Sequence, residues 1–153
     1  MERVHERLYT GGIEHCFEGT GGWAVVHACR HPCYRRAAGC AGISPPFPSH
    51  LQDGANLYLD LVDAPMPLWT AEPFIAALRF AARHWDRGAR LLFHCNQGIS
   101  RGPALAMLFL AKRLGALPDS SFEAAAGVFE RILPGYAPAG GIRSFLERHW
   151  DEL

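Results

Sequence analysis

In the stretch Phe93-His94-Cys95-Asn96-Gln97-Gly98-Ile99-Ser100-Arg101-Gly102, a thiol and a guanidinium stand at the two ends of a five-residue spacer. A guanidinium is a permanent cation whose planar fork matches two oxygens of one phosphoryl group. The run Arg90–Phe93 before the cysteine is short, apolar and strand-like. After the arginine, Pro103–Leu114 carries Leu105, Leu108, Phe109 and Ala111 at helical spacing, stopped by Gly115. The spacer therefore bridges a strand end and a helix start. Unpaired N–H groups and the helix dipole favour an anion there. Curled into a nest, the backbone of Asn96, Gln97, Gly98, Ile99 and Ser100 suits phosphate-like oxygens, with Gly98 supplying the bend. The same field favours a thiolate over a thiol. Cys95 is thus the expected nucleophile, Arg101 the expected phosphate ligand, and attack on a phosphate ester would leave the phosphate on sulfur. His94, on the opposite side of the strand, is expected to order the loop by hydrogen bonding. A lone cysteine at a strand end is ordinarily a small buried hydrophobe. Its combination with His, Gly and Arg between strand and helix is what carries the chemical reading.

The elements that must position this loop can be read along the chain. Residues 23–28, WAVVHA, and Asn56–Val62, NLYLDLV, read as strands, the second ending in the stiff turn DAPMP. Between them lie a basic, cysteine-bearing loop and a proline-rich connector. Thr70 is the expected N-cap of a helix whose apolar side carries Phe74, Leu78, Ala81 and Trp85, stopped at Gly88. Ser120 and Glu123 form an expected capping box for a helix to about Leu133. Pro134–Gly141 reads as a loop and Ile142–Trp150 as the last helix. Strands alternating with helices indicate an α/β layer architecture, with a central sheet flanked by helices.

The 153 residues suit one domain, spanning 1–153, with 49% hydrophobic and 20% charged residues. Fifteen basic and fifteen acidic side chains leave no net charge, which argues against a general DNA or membrane-surface binder. No apolar run reaches the length of a membrane span. The charged start MERVHERLYTGG lacks the apolar stretch of a secretion signal, so a cytoplasmic location is expected. The five cysteines, Cys16, Cys29, Cys33, Cys40 and Cys95, are odd in number, which argues against a disulfide framework.

The loop HCNQGISRG resembles the His-Cys-x5-Arg active-site loop of the cysteine-dependent protein-tyrosine phosphatase superfamily. Ser100 before the arginine is the form typical of its dual-specificity branch, and small bacterial and prophage phosphatases carry a similar loop. RLYTGG and WAVVHA resemble that branch's first strands, and GYAPAGGIRSFLERH its C-terminal segment. The resemblance covers most of the chain, residues 29–50 least. It implies a mainly parallel sheet and hydrolysis of phosphate monoesters, phosphotyrosine and also phosphoserine or phosphothreonine, through a cysteinyl-phosphate. Its partners would be a phosphorylated protein or a small phosphomonoester, and it needs no metal or organic cofactor. It also implies an aspartate as general acid from an upstream loop. Asp63, 32 residues before Cys95 at the start of Asp63-Ala64-Pro65, matches that position. Asp60 is the competitor but falls inside the NLYLDLV alternation. Two residues depart from the family pattern. Gly102 replaces the usual serine or threonine that helps expel the thiolate, which implies a slow second step unless Ser100 or water compensates. Gln97 replaces a smaller residue at the pocket rim.

His27, Cys29, His31, Cys33 and Cys40 raise a metal site, but their spacing lacks the two separated ligand pairs usual for zinc. The segment reads instead as a loop at the catalytic mouth, where Arg30, Arg35 and Arg36 either attract a phosphorylated substrate or form a solvated surface. Two alternatives to a protein phosphatase stand beside it: a non-catalytic phospho-binding module, and a phosphatase of RNA 5′-ends or small metabolites. Thiol redox chemistry is a third, opposed by the lack of another thiol near Cys95 in sequence.

Overall fold

The computed structural model describes residues 1–153. Six strands form one sheet: β1 (Glu2–His5), β2 (Leu8–Gly11), β3 (Trp23–His27), β4 (His50–Asp53), β5 (Asn56–Leu59) and β6 (Arg90–His94), in the order β1-β2-β6-β3-β5-β4. The four inner strands are parallel, and the edge strands β1 and β4 pair antiparallel to β2 and β5. Five helices complete the chain: α1 (Arg35–Cys40), α2 (Glu72–Asp86), α3 (Arg101–Lys112), α4 (Phe122–Ile132) and α5 (Gly140–His149). No helix is long and apolar enough to cross a membrane.

The two-residue period of the strands sorts the sheet into two faces. Ala24, Val26, Leu57, Leu59, Leu91 and Phe93 enter the main core with Phe74, Phe80, Phe109, Phe129 and Phe145. The sequence Gly102-Pro103-Ala104 to Ala111 is apolar all round, and α3 is accordingly buried all round against β2, β6, α2 and α4. On the other face lie His27, Asn56, Tyr58 and His94. There Cys29, Cys33, Tyr34, Ala38 and Tyr58 make a smaller apolar cluster.

Several expectations shift by a residue or two. Helix α2 starts after Ala71, not Thr70, with Pro73 in its first turn, where the missing N–H costs nothing. Ser121, not Ser120, caps α4 by accepting from the Ala124 N–H at 3.1 Å. The stretch read as a loop and connector contains α1 and β4, and β1 precedes the expected first strand; short edge elements carry little periodicity to read. β5 ends at Leu59, so Asp60 lies outside the strand.

Because the inner strands are parallel, their carboxyl ends share one edge of the sheet, where α/β folds place their sites. The segments after β2, β3, β5 and β6 all emerge there. They carry Cys16, Cys33, Asp63 and Cys95 in turn.

Candidate active site

Cys95 follows β6 directly and is buried, its N–H donating to the Gly11 carbonyl at 3.2 Å. The next five residues turn back to the start of α3. Gly98 sits at φ +75° and so close to the Gly11–Gly12 turn that a Cβ would lie 2.6 Å from Gly12 N. Both constraints require glycine. The loop carbonyls of Asn96 and Ile99 are taken by the N–H groups of Ile13 (3.0 Å) and Ala137 (2.8 Å). The amides of Asn96 to Ser100 donate to no protein acceptor. Ser100, at the N-cap of α3, makes no side-chain cap. The result is a curled run of free N–H groups at a helix N-terminus, an arrangement suited to an anion.

Arg101 is almost wholly buried and held on two sides. Nη1 donates to the Leu61 carbonyl at 3.0 Å and Nη2 to Asn96 Oδ1 at 2.8 Å. Nε has no hydrogen-bond partner in the protein. A buried guanidinium N–H left free beside open amides is costly unless an anion takes it. Asp63 Oδ1 lies 3.8 Å from Nε and accepts from Ser100 Oγ at 2.8 Å. Ser100 Oγ in turn accepts from the Ala139 N–H at 3.0 Å. The Asp63 side chain keeps 27% exposure, enough to meet a leaving group from solvent.

The structure thus sets Asp63 beside Ser100 and Arg101, at the end of the loop that Cys95 opens. Asp60 is engaged elsewhere: Arg30 Nε donates to its Oδ1 at 2.5 Å. The suggestion that Ser100 stands in for the hydroxyl missing at 102 meets an obstacle, since its hydroxyl is committed to Asp63 and Ala139. Gly102 also has no room for a side chain; a Cβ would lie 2.9 Å from the Phe93 carbonyl oxygen and 3.0 Å from His94 C and Cα. Gln97 is exposed. Two positioning roles were invisible in the sequence. The Asn96 amide grips Arg101 and donates to the His31 carbonyl at 2.8 Å, and the Ser100 hydroxyl holds Asp63. No spacing rule encodes either contact.

The basic segment adjoins the Cys95–Arg101 loop, where the Asn96 side chain meets the His31 carbonyl, and its arginines have partners of their own. Arg30 pairs with Asp60, Arg35 lies 4.0 Å over the Phe47 ring, and Arg36 approaches Glu18 at 3.8 Å. These arginines stabilise their own loop.

His94 orders the structure through β3 rather than through the loop. The parallel register sets it beside His27, and its Nε2 meets His27 Nδ1 at 2.8 Å. His27 Nε2 lies 3.1 Å from Asn56 Oδ1. Burial is the main cause holding both imidazoles neutral, with pKa values lowered to about 4. Cys16 Sγ lies 3.6 Å from His27 Nδ1 and 3.9 Å from Cys33 Sγ. The cysteine segment therefore does contribute to a ligand-type cluster, but not by the spacing within it. His27 and Cys33 are joined by Cys16 and His94 from other elements, while Cys29, His31 and Cys40 stay out.

No protein-family model and no curated protein sequence matches the chain. Among solved structures, DUSP15 is similar with a TM-score of 0.68 at 18% identity, over 98% of this chain and 86% of its own. Human DUSP28 is similar with a TM-score of 0.65 at 21% identity, over 99% and 96%. The human tyrosine phosphatase-like serine/threonine/tyrosine-interacting protein is similar with a TM-score of 0.59 at 20% identity, over 86% and 78%. The six-stranded sheet with its flanking helices is the fold of these dual-specificity and tyrosine phosphatases.

Proposed function

We propose that this chain, built on the dual-specificity phosphatase fold, is a cysteine-dependent phosphate monoester hydrolase. One observation carries the reading. A buried Cys95 opens a loop whose amides have no protein acceptor, and the loop ends at a buried Arg101 whose Nε has no hydrogen-bond partner and lies 3.8 Å from Asp63 Oδ1.

In this reading the loop amides and Arg101 bind the phosphoryl oxygens and oppose the charge that builds on them in the transition state. The Cys95 sulfur attacks phosphorus in line, and the bond to the leaving oxygen breaks as Asp63 donates its proton to that oxygen. Water then attacks the cysteinyl-phosphate. Asp63, now a carboxylate, takes the water proton, and the S–P bond breaks to regenerate the nucleophile. No step needs a metal or an organic cofactor.

Ile99 of the loop, Ile13 next to it, and Met66 and Leu68 after Asp63 are exposed apolar side chains. Apolar side chains near the loop favour an aryl or alkyl phosphate over a polyanion. That supports phosphotyrosine, with phosphoserine and phosphothreonine next, ahead of RNA 5′-phosphates. A second reading, a non-catalytic phospho-binding module, is favoured by Gly102, where a hydroxyl is both absent and excluded by the β6 backbone.

Hydrolysis of a generic aryl phosphate separates the readings. The phosphatase reading expects metal-independent turnover that Cys95→Ser abolishes. Tight binding of a phosphopeptide without turnover would replace it with the binding module.

A further inference from the structure

The four side chains gathered behind the catalytic loop, Cys16, His27, Cys33 and His94, have a geometry that the phosphatase reading does not use. Their ligand atoms all lie within 4.8 Å of one another. A tetrahedral zinc site with Zn–S near ~2.3 Å and Zn–N near ~2.05 Å has S···S, S···N and N···N edges of about 3.8, 3.6 and 3.3 Å. The corresponding separations here are 3.9 Å between the two sulfurs, 3.6 Å from Cys16 Sγ to His27 Nδ1 and 2.8 Å between the imidazole nitrogens. Of the six edges of such a tetrahedron, these two sulfur edges already match, and three more lie within 4.8 Å. The edge between the imidazoles would open by about half an ångström, from a hydrogen-bonded contact to a coordinated one.

We infer that Cys16 Sγ, Cys33 Sγ, His27 Nδ1 and His94 Nε2 form a closed, structural Cys2His2 zinc site beneath the catalytic loop.

The surroundings fit that role. Two thiolates balance the charge of Zn2+, so the centre is neutral and its burial avoids the cost of an unpaired ion. Binding releases one proton from each thiol: Zn2+ plus two S–H groups gives two Zn–S bonds and two protons in solution. The proton between the imidazoles moves to His94 Nδ1, a buried nitrogen with no protein acceptor, and this shift costs part of the binding energy. His27 turns Nδ1 to the cluster and its other nitrogen to Asn56 Oδ1, which is also held by the Gly19 N–H at 2.7 Å. Such an oxygen behind a ligating histidine fixes the ring and its tautomer. An entry path exists as well, since a surface cleft bounded by Ile13, Phe17, Pro32 and Arg36 is lined by both Cys16 and Cys33.

The four ligands come from four parts of the chain: the turn after β2, the ends of β3 and β6, and the turn Arg30–Tyr34. His94 directly precedes Cys95, and the Asn96 side chain reaches the His31 carbonyl within the same turn. Zinc here would staple the segments that brace the loop from below. It takes no part in the proposed hydrolysis, and its test does not depend on activity.

The purified full-length protein is stripped with a strong chelator, reloaded with Zn2+ or Co2+, and passed through a desalting column before metal analysis. Expected are about one metal per chain and, with cobalt, the intense visible bands and sulfur charge-transfer bands of a tetrahedral thiolate site. Cys16→Ala and Cys33→Ala should each abolish both signals, whereas Cys40→Ala and Cys95→Ser should keep them. Asn56→Leu removes no ligand and should weaken zinc affinity by about 10–100-fold in a chelator competition. If the cysteine variants do not fold, the Asn56→Leu affinity and the cobalt spectrum of the unaltered protein decide. Failure of the unaltered protein to retain metal overturns the inference. So does retention unaffected by Cys16→Ala, Cys33→Ala or Asn56→Leu, and so does loss on Cys95→Ser, which would put the metal on the nucleophile.

Discussion

Gly102→Ser introduces a hydroxyl at the position where the resembled active-site loop carries serine or threonine, and by that resemblance it should speed the second step. The structure predicts the opposite. A Cβ at 102 would meet the Phe93 carbonyl oxygen at 2.9 Å and the His94 backbone at 3.0 Å. Relief to ordinary contact requires about half an ångström of movement between the first turn of α3 and β6, and overpacking of this kind costs about 1–3 kcal/mol. The gain in helix propensity over glycine offsets at most about 1 kcal/mol. A net loss near 1 kcal/mol should lower the midpoint of thermal unfolding by about 2–4 °C. Arg101 rides on that same turn, so a shift of half an ångström should also cost about tenfold in aryl phosphate turnover. Gly102→Ala shares the clash without the hydroxyl and should behave alike in both assays. Calorimetry and steady-state kinetics on the two variants decide the matter. A Gly102→Ser protein of unchanged stability and raised turnover would refute the steric reasoning.

Asp63→Asn should slow aryl phosphate hydrolysis by about 10²-fold and flatten the alkaline limb of the pH–rate profile. Asp60→Asn, which breaks only the pair with Arg30, should leave that limb in place; the reverse result would transfer the acid's role to Asp60. Phosphate, sulfate or vanadate should compete with substrate for the loop amides and Arg101. Unchanged kinetics at millimolar oxyanion would remove the cradle from the mechanism.

Much of the site is local in sequence, and that part was legible. Strand, five-residue spacer, arginine and buried helix follow one another without interruption from Arg90 to Lys112, and Gly98 sits at the bend as expected. Asp63 was harder to choose over Asp60, because the alternation of NLYLDLV continues past the point where β5 stops at Leu59. What separates the two is tertiary: Ser100 and Arg101 on one side, Arg30 on the other. The partners of the 30–36 arginines were not legible, because charge composition does not reveal them and Asp60, Phe47 and Glu18 lie outside that segment. The same limit hid the Cys2His2 cluster. His27 and His94 are cross-strand neighbours only because β3 and β6 pair in parallel register, a relation no spacing rule contains. Edge strands β1 and β4 were missed because most of their four residues are exposed or half-buried and carry no apolar run, and α1 because it spans only six residues.

In the proposed reaction, phosphate passes through the Cys95 sulfur. The direct measurement is an acid quench during turnover of an aryl phosphate, followed by mass spectrometry of the peptide that carries Cys95. With no hydroxyl at 102 and Ser100 committed to Asp63, the intermediate should accumulate. Phosphate should be found on Cys95, alongside a burst of alcohol approaching one equivalent per chain. Turnover with no phosphate on that peptide and no burst, or turnover that survives Cys95→Ser, would contradict the account.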